Sequence, residues 1–353
     1  MIKVANSVAA VATRVFAIVE SPFQLLNIKE YLFQNGVEGN SCKVYLVNVI
    51  NETNLEQLFR VADYLDLKVE VLFSHTFFDR NYFSKLSMAW RLFWRLGEVT
   101  PKPEAVLLVG DIGSFVTRIF IRAFHPKDLL IVDDGNAVLA QHEKFLAGEL
   151  FLERMWLERL LMLCPRYRRP WYASQQLKFF TKYYFHPKGE HPAFLRNESL
   201  FLRNKLQASK KVPAIFFVGQ NVSELGIVSE QSYLHALSEI SKRYADREVY
   251  YFPHRRESKE KLDKVVAVTG WGLYVQHFPF EMELMQLGLP DVLATFYSSV
   301  VSNVCELDLG LTIDVYQIAE RDLLRNQKLI QGVYDHYTTL GVRLFKLSES
   351  LGV

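Results

Sequence analysis

The sequence is poor in the residues that would make it a disulfide scaffold. Only three of its 353 residues are cysteine: Cys42, Cys164 and Cys305. They are odd in number, far apart and without metal-ligand spacing, which favours a reducing compartment. No apolar run approaches the roughly 18 residues of a bilayer span. The apolar N-terminus, MIKVANSVAAVATRVFAIVE, is broken by Asn6, Thr13 and Arg14. RVFAIVE reads better as a first buried strand than as part of a cleaved signal, so a cytoplasmic chain is expected. A long basic run is also missing, and a formal net charge of +2 makes no case for nucleic acid. No repeat of 20–50 residues is present.

What is there is a globular composition, half hydrophobic and 23% charged. A chain of this length is too long for one ordinary core and suits two domains of roughly 150 residues. The first half alternates. Strand-like runs at 14–20, 43–49, 68–73, 105–111 and 128–135 are separated by helical patterns at 21–36, 54–66 and 113–124. The first helix has Ser21 as N-cap, Pro22 at its first position and Gly36 as its stop. Short apolar strands between amphipathic helices mean a parallel sheet covered on both faces, a Rossmann-like domain to about residue 150. Residues 151–207 read as helical, basic and aromatic, without clear strands, and 206–213 as a linker closed by Pro213. The alternation then restarts: strands at 214–219, 248–252, 291–296 and 310–316, helices at 229–245, 279–288 and 298–308, and a tail at 320–345 that reads as one long helix or two. The expected division is an N-terminal domain at 1–205 and a C-terminal domain at 213–353, two Rossmann-like domains facing each other.

Aromatic residues make up 14% of the chain, with a local excess at 165–189, PRYRRPWYASQQLKFFTKYYFHPKG. Its aromatics either pack inward at the edge of the fold, or form a face that rests on an anionic membrane surface.

Ligands of open parallel sheets bind beyond the carboxyl ends of the strands. The turns there carry a short set of polar residues. Glu20, Ser21 and Gln24 follow the first strand; Asp133, Asp134 and Gly135 follow LLIV. Gly219, Gln220 and Asn221 follow AIFFV; His254, Arg255 and Arg256 follow EVYYF-Pro253. Glu281 opens a helix, and Ser298 and Ser299 follow VLATF-Tyr297. Each has an ordinary reading: a turn aspartate, a capping serine, a tight-turn glycine, a solvated arginine, a glutamate opposing a helix dipole. Their concentration on one predicted rim suits glycosyl transfer from a nucleotide sugar. A carboxylate would take the acceptor's proton, while a histidine and a helix N-terminus would stabilise the departing phosphate. No Asp-x-Asp stands at a strand end to hold a divalent metal; ELD at 306–308 and DYLD at 63–66 fall in helical pattern. No metal or other cofactor is therefore expected.

The ordered set VESPFQLLN, VGD, IVDDGN, FVGQNVSE, YYFPHRRE, PFEMEL and FYSSVV resembles the bacterial lipooligosaccharide sialyltransferases and the related capsular polysialyltransferases. Their shared pattern is an acidic-acidic-glycine turn, a histidine-proline motif and a serine pair, and the resemblance runs over residues 14–305. It implies a GT-B fold and metal-independent, inverting transfer of a nonulosonic acid from its CMP donor to a glycan acceptor, such as a cell-surface polysaccharide or lipooligosaccharide. It implies that Asp133 and Asp134 supply the general base and that His254 is the acid at the donor phosphate; of the pair Asp133 is favoured, because an Asp immediately before Gly is the commoner turn residue. Ser298 and Ser299 would bind that phosphate, Arg255 or Arg256 would add charge, and Gly219, Gln220 and Asn221 would form the donor turn. Glu281 would hold the ribose or cytosine, and Ser21 and Gln24 would lie on the acceptor side. His254 is followed by Arg255 rather than proline. The acidic residue that some relatives carry three positions after the glycine of the donor turn is replaced by Val222, which leaves Glu224 as the fallback base. The His-Pro pairs at 125–126 and 186–187 follow no strand of the second domain and are treated as coincidental. The competing readings are a UDP-sugar glycosyltransferase or epimerase of the same shape, and a non-catalytic, membrane-associated partner in polysaccharide assembly.

Overall fold

The computed structural model describes residues 14–48, 52–74, 82–99, 102–134, 141–142, 163–165, 167, 177–182 and 193–348. The chain divides into two compact units, Met1–Leu200 and Phe201–Val353.

The first unit is built on a parallel sheet of β1 (Val15–Val19), β2 (Cys42–Asn48), β3 (Val69–Ser74), β4 (Val106–Val109), β5 (Asp128–Val132), β6 (Leu177–Thr181) and β7 (Ala193–Arg196). The strand order is β3-β2-β1-β4-β5-β6-β7, with every pairing parallel. All residues of β1 and β4 are buried, as expected of strands covered on both faces. Its helices include α1 (Pro22–Gln34), α2 (Glu52–Tyr64), α3 (Tyr82–Gly97) and α4 (Phe115–Phe124). Ser21 caps α1 by accepting from the Gln24 amide at 3.3 Å, Pro22 fills the first turn, and Gly36 leaves the helix at φ +64°. Phe120 and Phe124 of α4 stack on each other at 5.4 Å, and Phe124 meets Phe16 edge-on at 4.9 Å. This apolar seam fixes α4 against β1.

Two expectations for this unit are corrected. Residues 151–207 contain strands: β6 and β7 extend the sheet past residue 150, with Leu129 of β5 opposite Leu177 of β6. Helix α3 is also present, and the sequence reading had not included it.

The second unit has a parallel sheet of β8 (Lys211–Val218), β9 (Val249–Phe252), β10 (Gly272–Leu273), β11 (Leu289–Thr295), β12 (Thr312–Gln317) and β13 (Arg343–Lys346), in the order β10-β9-β8-β11-β12-β13. The helices are α5 (Leu200–Gln207), α6 (Glu230–Arg243), α7 (Lys259–Thr269), α8 (Phe280–Leu287), α9 (Val300–Cys305) and α10 (Gln327–Thr339). Ser229 and Ser258 cap α6 and α7, and Gly270 ends α7 in the left-handed region. The expected linker is corrected at its end: Pro213 lies within β8. It is tolerated because it is exposed near the start of the strand, where the β8–β11 register shifts between Pro290 and Val292. The tail is not all helix; after α10 the chain returns as the edge strand β13.

In each sheet the strand order reverses beside the first strand, at β1/β4 and at β8/β11. Those are the topological switch points, where a crevice opens beyond the carboxyl ends of the strands.

Candidate functional site

At the first switch point, α1 leaves β1 so that its first turn faces the end of β5. Ser21 Oγ donates to Asp134 Oδ1 at 2.8 Å, and Gln24 Nε2 donates to Asp134 Oδ2 at 2.9 Å. The Gln24 carbonyl oxygen accepts from the Glu20 amide at 2.7 Å, which locks the side chain across the sheet end. Gly110, after β4, makes room for this crossing: a Cβ there would lie 1.9 Å from Gln24 Cδ. Ser21, Gln24 and Asp134 are thus brought together as the sequence suggested, and Gly110 joins them. Gly135 lies outside the described residues.

Asp133 is different. It is 0% exposed, its Oδ2 accepts from the Lys182 amide at 3.0 Å, and its carbonyl accepts from Asn27 Nδ2 at 2.9 Å. Asn27 accepts in turn from Asn197 Nδ2 at 2.9 Å. Asp133 fastens the end of β5 to β6 and α1, a structural role that the expectation of a base did not include.

Glu20 was named in the first turn but given no role. Its Oε1 accepts from Thr117 Oγ1 at 3.1 Å. Burial pushes its carboxyl up to about 7, against hydrogen bonds from Ser114 and Thr117, with the Asp111 and Asp134 charges adding to the rise. A glutamate closing an apolar strand beside two aspartates was the available signal. Opposite this acidic end, a cavity of about 280 Å³ is lined by Phe16, Tyr45 and Phe124 with the pairs Lys43–Glu70 and Arg95–Glu98. Its charges largely neutralise one another.

At the second switch point the turns after β8, β9 and β11 start level, since Val218 is in register with both Phe252 and Thr295. Gly219 is required there. A Cβ would lie 2.3 Å from Tyr251 Oη and 2.7 Å from Glu257 Oε2. Gln220 ties two turns together, its Oε1 accepting from the Tyr297 amide at 3.2 Å. Asn221 is buried, and its carbonyl accepts from the Leu225 amide.

His254 is held by a buried polar network. Glu257 Oε2 accepts from the His254 amide at 2.6 Å, and Glu257 Oε1 accepts from Tyr251 Oη at 2.7 Å. Lys261 Nζ lies 2.8 Å from Glu257, 3.1 Å from Glu224, and donates to the Gln220 carbonyl at 2.9 Å. The Arg256 amide donates to His254 Nδ1 at 3.2 Å, so the neutral ring carries its proton on Nε2. Burial lowers this imidazole to about 4, with Arg255 and Arg256 contributing. Both arginines are exposed on the loop. Glu224, the fallback base, is part of the scaffold: it accepts from the Ser258 amide at 3.2 Å and pairs with Lys261.

Ser298 and Ser299 are half-buried before α9. Ser298 Oγ accepts from the Val300 amide at 3.3 Å, and its carbonyl accepts from Tyr337 Oη at 2.6 Å. The Ser299 side chain makes no capping bond. Helix α9 spans six residues, so this turn offers hydroxyl groups rather than a long helix dipole. Glu281 is only 5% exposed, and its Oε1 accepts from Asn303 Nδ2. It joins α8 to α9, a contact that the expected hold on a ribose or cytosine did not include. Among the described residues there is no group of three His, Cys, Asp or Glu side chains placed to hold a metal ion.

No family model matches the sequence, and no curated protein sequence matches it. Solved structures do. The S. aureus MnaA–UDP co-structure is 11% identical over 93% of this chain and 88% of that one, with a TM-score of 0.50. The α/β-galactoside α-2,3-sialyltransferase of Photobacterium phosphoreum is 11% identical over 94% of this chain and 97% of that one, at 0.47. The GT-B domain of a Photobacterium damselae sialyltransferase is 13% identical over 94% and 100%, at 0.45. The likeness is one of fold: two Rossmann-like, parallel-sheet units of the GT-B class.

Proposed function

We propose that the chain is an inverting, metal-independent glycosyltransferase that moves sialic acid or a related nonulosonic acid from a CMP donor to a glycan acceptor. The observation that carries this reading is His254: its backbone is fixed by Glu257, its Nδ1 is occupied by the Arg256 amide, and its proton is on Nε2. A ring so held offers one directed hydrogen bond to an anionic leaving group. Arg255 and Arg256 supply positive charge beside it, and the Ser298 and Ser299 hydroxyls supply further donors.

In the proposed reaction the acceptor oxygen bonds to the anomeric carbon as the bond from that carbon to the CMP phosphate oxygen breaks. The electron pair leaves with CMP, whose new charge His254 neutralises. The acceptor's proton passes to a carboxylate of the first unit. Asp134 takes the role expected of Asp133, because Ser21 and Gln24 orient both of its oxygens at the strand end. Glu20 is the second carboxyl group of that turn. A cell-surface glycan would be the acceptor. No helix among the described residues is long and apolar enough to cross a membrane. The membrane contact read from residues 165–189 remains a proposal from sequence, since most of that stretch lies outside the described residues.

Thermal-shift titration with CMP, CDP, UDP and GDP tests the reading. Bound nucleotide raises the apparent stability by mass action. CMP should stabilise most, and Ser298→Ala with Ser299→Ala should weaken its effect. Preference for UDP would support the UDP-sugar alternative, the nucleotide of the S. aureus MnaA structure.

A further inference from the structure

The first unit carries an exposed aromatic face that the transfer chemistry does not use. Trp90 and Trp94 of α3 are each 63% exposed, and their rings lie 6.1 Å apart. They stand four residues apart, on one side of the helix. Arg91 and Arg95 follow them, both exposed, and α3 contains no acidic residue. Leu92 and Leu96, on the other side of its last turns, are buried in the core. The arginine-rich stretch meets the same helix: Tyr167, buried, packs edge-on against Phe93 at 5.9 Å, and Arg168 and Arg169 follow it in sequence. Leu163, just before it, is 77% exposed.

We propose that the outer face of α3 docks on an anionic lipid bilayer, with Trp90 and Trp94 at headgroup level and Arg91 and Arg95 against lipid phosphates. An indole presents an apolar body and a polar N–H, which suits the membrane–water boundary. A guanidinium matches phosphate in geometry and charge. The Arg95–Glu98 contact at 3.4 Å is between exposed groups and yields readily to a phosphate. A second copy of the chain fits less well. The two indoles expose roughly 300 Å², well short of the ~800 Å² per partner of a stable protein interface. A bilayer needs only anchors and charge.

The test uses the full chain and vesicles of phosphatidylcholine, alone or with a third phosphatidylglycerol. The chain should sediment with the anionic vesicles, shift its indole emission to the blue, and be released by high salt, because such attraction is screened within about 8–10 Å. Trp90→Ala with Trp94→Ala should weaken binding to anionic vesicles by about tenfold or more. Arg91→Gln with Arg95→Gln should weaken it by about tenfold and remove most of the preference for anionic lipid. Equal binding to both vesicle types, binding to neither, or wild-type binding by both double variants would overturn the proposal. So would a dimer seen by light scattering that the tryptophan variant abolishes, since the occupant would then be a second copy.

Discussion

Lys261 is the group whose removal tests the donor-side scaffold most directly. It is 0% exposed, and its ammonium group touches Glu257, Glu224 and the Gln220 carbonyl while lying 4.0 Å from the centre of the Tyr233 ring. Replacing it with methionine keeps the volume and deletes the charge. Glu257, whose side chain is fully buried, is then left without its cation. Breaking a buried pair in this way costs about 3–5 kcal/mol, because the surviving charge is uncompensated. For a unit of this size each kcal/mol moves the midpoint by roughly 2–4 °C, so the second unit's transition should fall by about 6–20 °C. Glu257→Gln combined with Lys261→Met should recover part of the loss, since no buried charge remains and Glu224 is open enough to be solvated. Calorimetric melts of the wild type, the single variant and the double variant measure this. Titration of each with CMP reads the loop, which should lose donor affinity because Glu257 holds the His254 amide. A Lys261→Met midpoint within 2 °C of wild type, or a double variant no more stable than the single one, would refute the reasoning.

Asp134→Asn should lower transfer by about 10²–10⁴-fold with CMP binding unchanged, as expected for a lost general base, whereas Asp133→Asn should chiefly lower the melting temperature; rates and melts of both variants decide. Gly219→Ala forces a methyl group onto Tyr251 and Glu257 and should cost about 1–3 kcal/mol, read by denaturant unfolding together with a loss of CMP binding. Activity should survive excess EDTA, and a strict need for magnesium or manganese would sink the metal-independent reading. Glu20 has a folded value near 7 against an ordinary 4.5, so the folded state binds the extra proton between those values and stability falls as pH rises from 4.5 to 7. That loss is at most about 3.4 kcal/mol, and Glu20→Gln should abolish it in melts across that pH range.

Much of the frame was legible because parallel strands buried on both faces are written as short apolar runs, and because Ser21-Pro22 and Gly36 punctuate α1 so clearly. The strand-end turns could be read for the same reason. The errors have a common cause in missing partners. In LKFFTKYYFH, Lys178 and Lys182 interrupt the apolar residues, so β6 looked like part of a basic, helical segment. Without β6 there was no Lys182 amide for Asp133 to bind, and neighbouring aspartates at a strand end differ only in which face they point to. The structural role of Asp133 was therefore not legible. The bond of Glu281 to Asn303 was hidden in the same way, since Asn303 belongs to another helix. Helix α7 escaped notice because its inward face consists of little more than Lys261 and Val265, and a buried lysine contradicts the apolar periodicity that reveals helices.

The two turns perturb their titratable groups in opposite directions, and that opposition fits acid–base roles. At neutral pH the His254 ring is uncharged: burial and two arginines hold it near 4, and its proton is on Nε2. It cannot act as a strong acid in that state. A phosphate brought against Arg255 and Arg256 cancels the charges that depress the ring, and adds an anion that favours the imidazolium. Donor binding would therefore raise the ring toward its ordinary range, so that it becomes a competent proton source when a leaving group is present. In the first unit the same forces, burial and like-signed neighbours, act on a carboxyl group and raise it. Glu20, buried beside Asp111 and Asp134, is poised near 7, where a carboxyl group can both accept and release a proton. A proton taken by Asp134 from an acceptor hydroxyl would arrive in a turn already built to retain one. The turn of the first unit gathers carboxylates and keeps a proton; the turn of the second gathers cations and keeps a neutral imidazole.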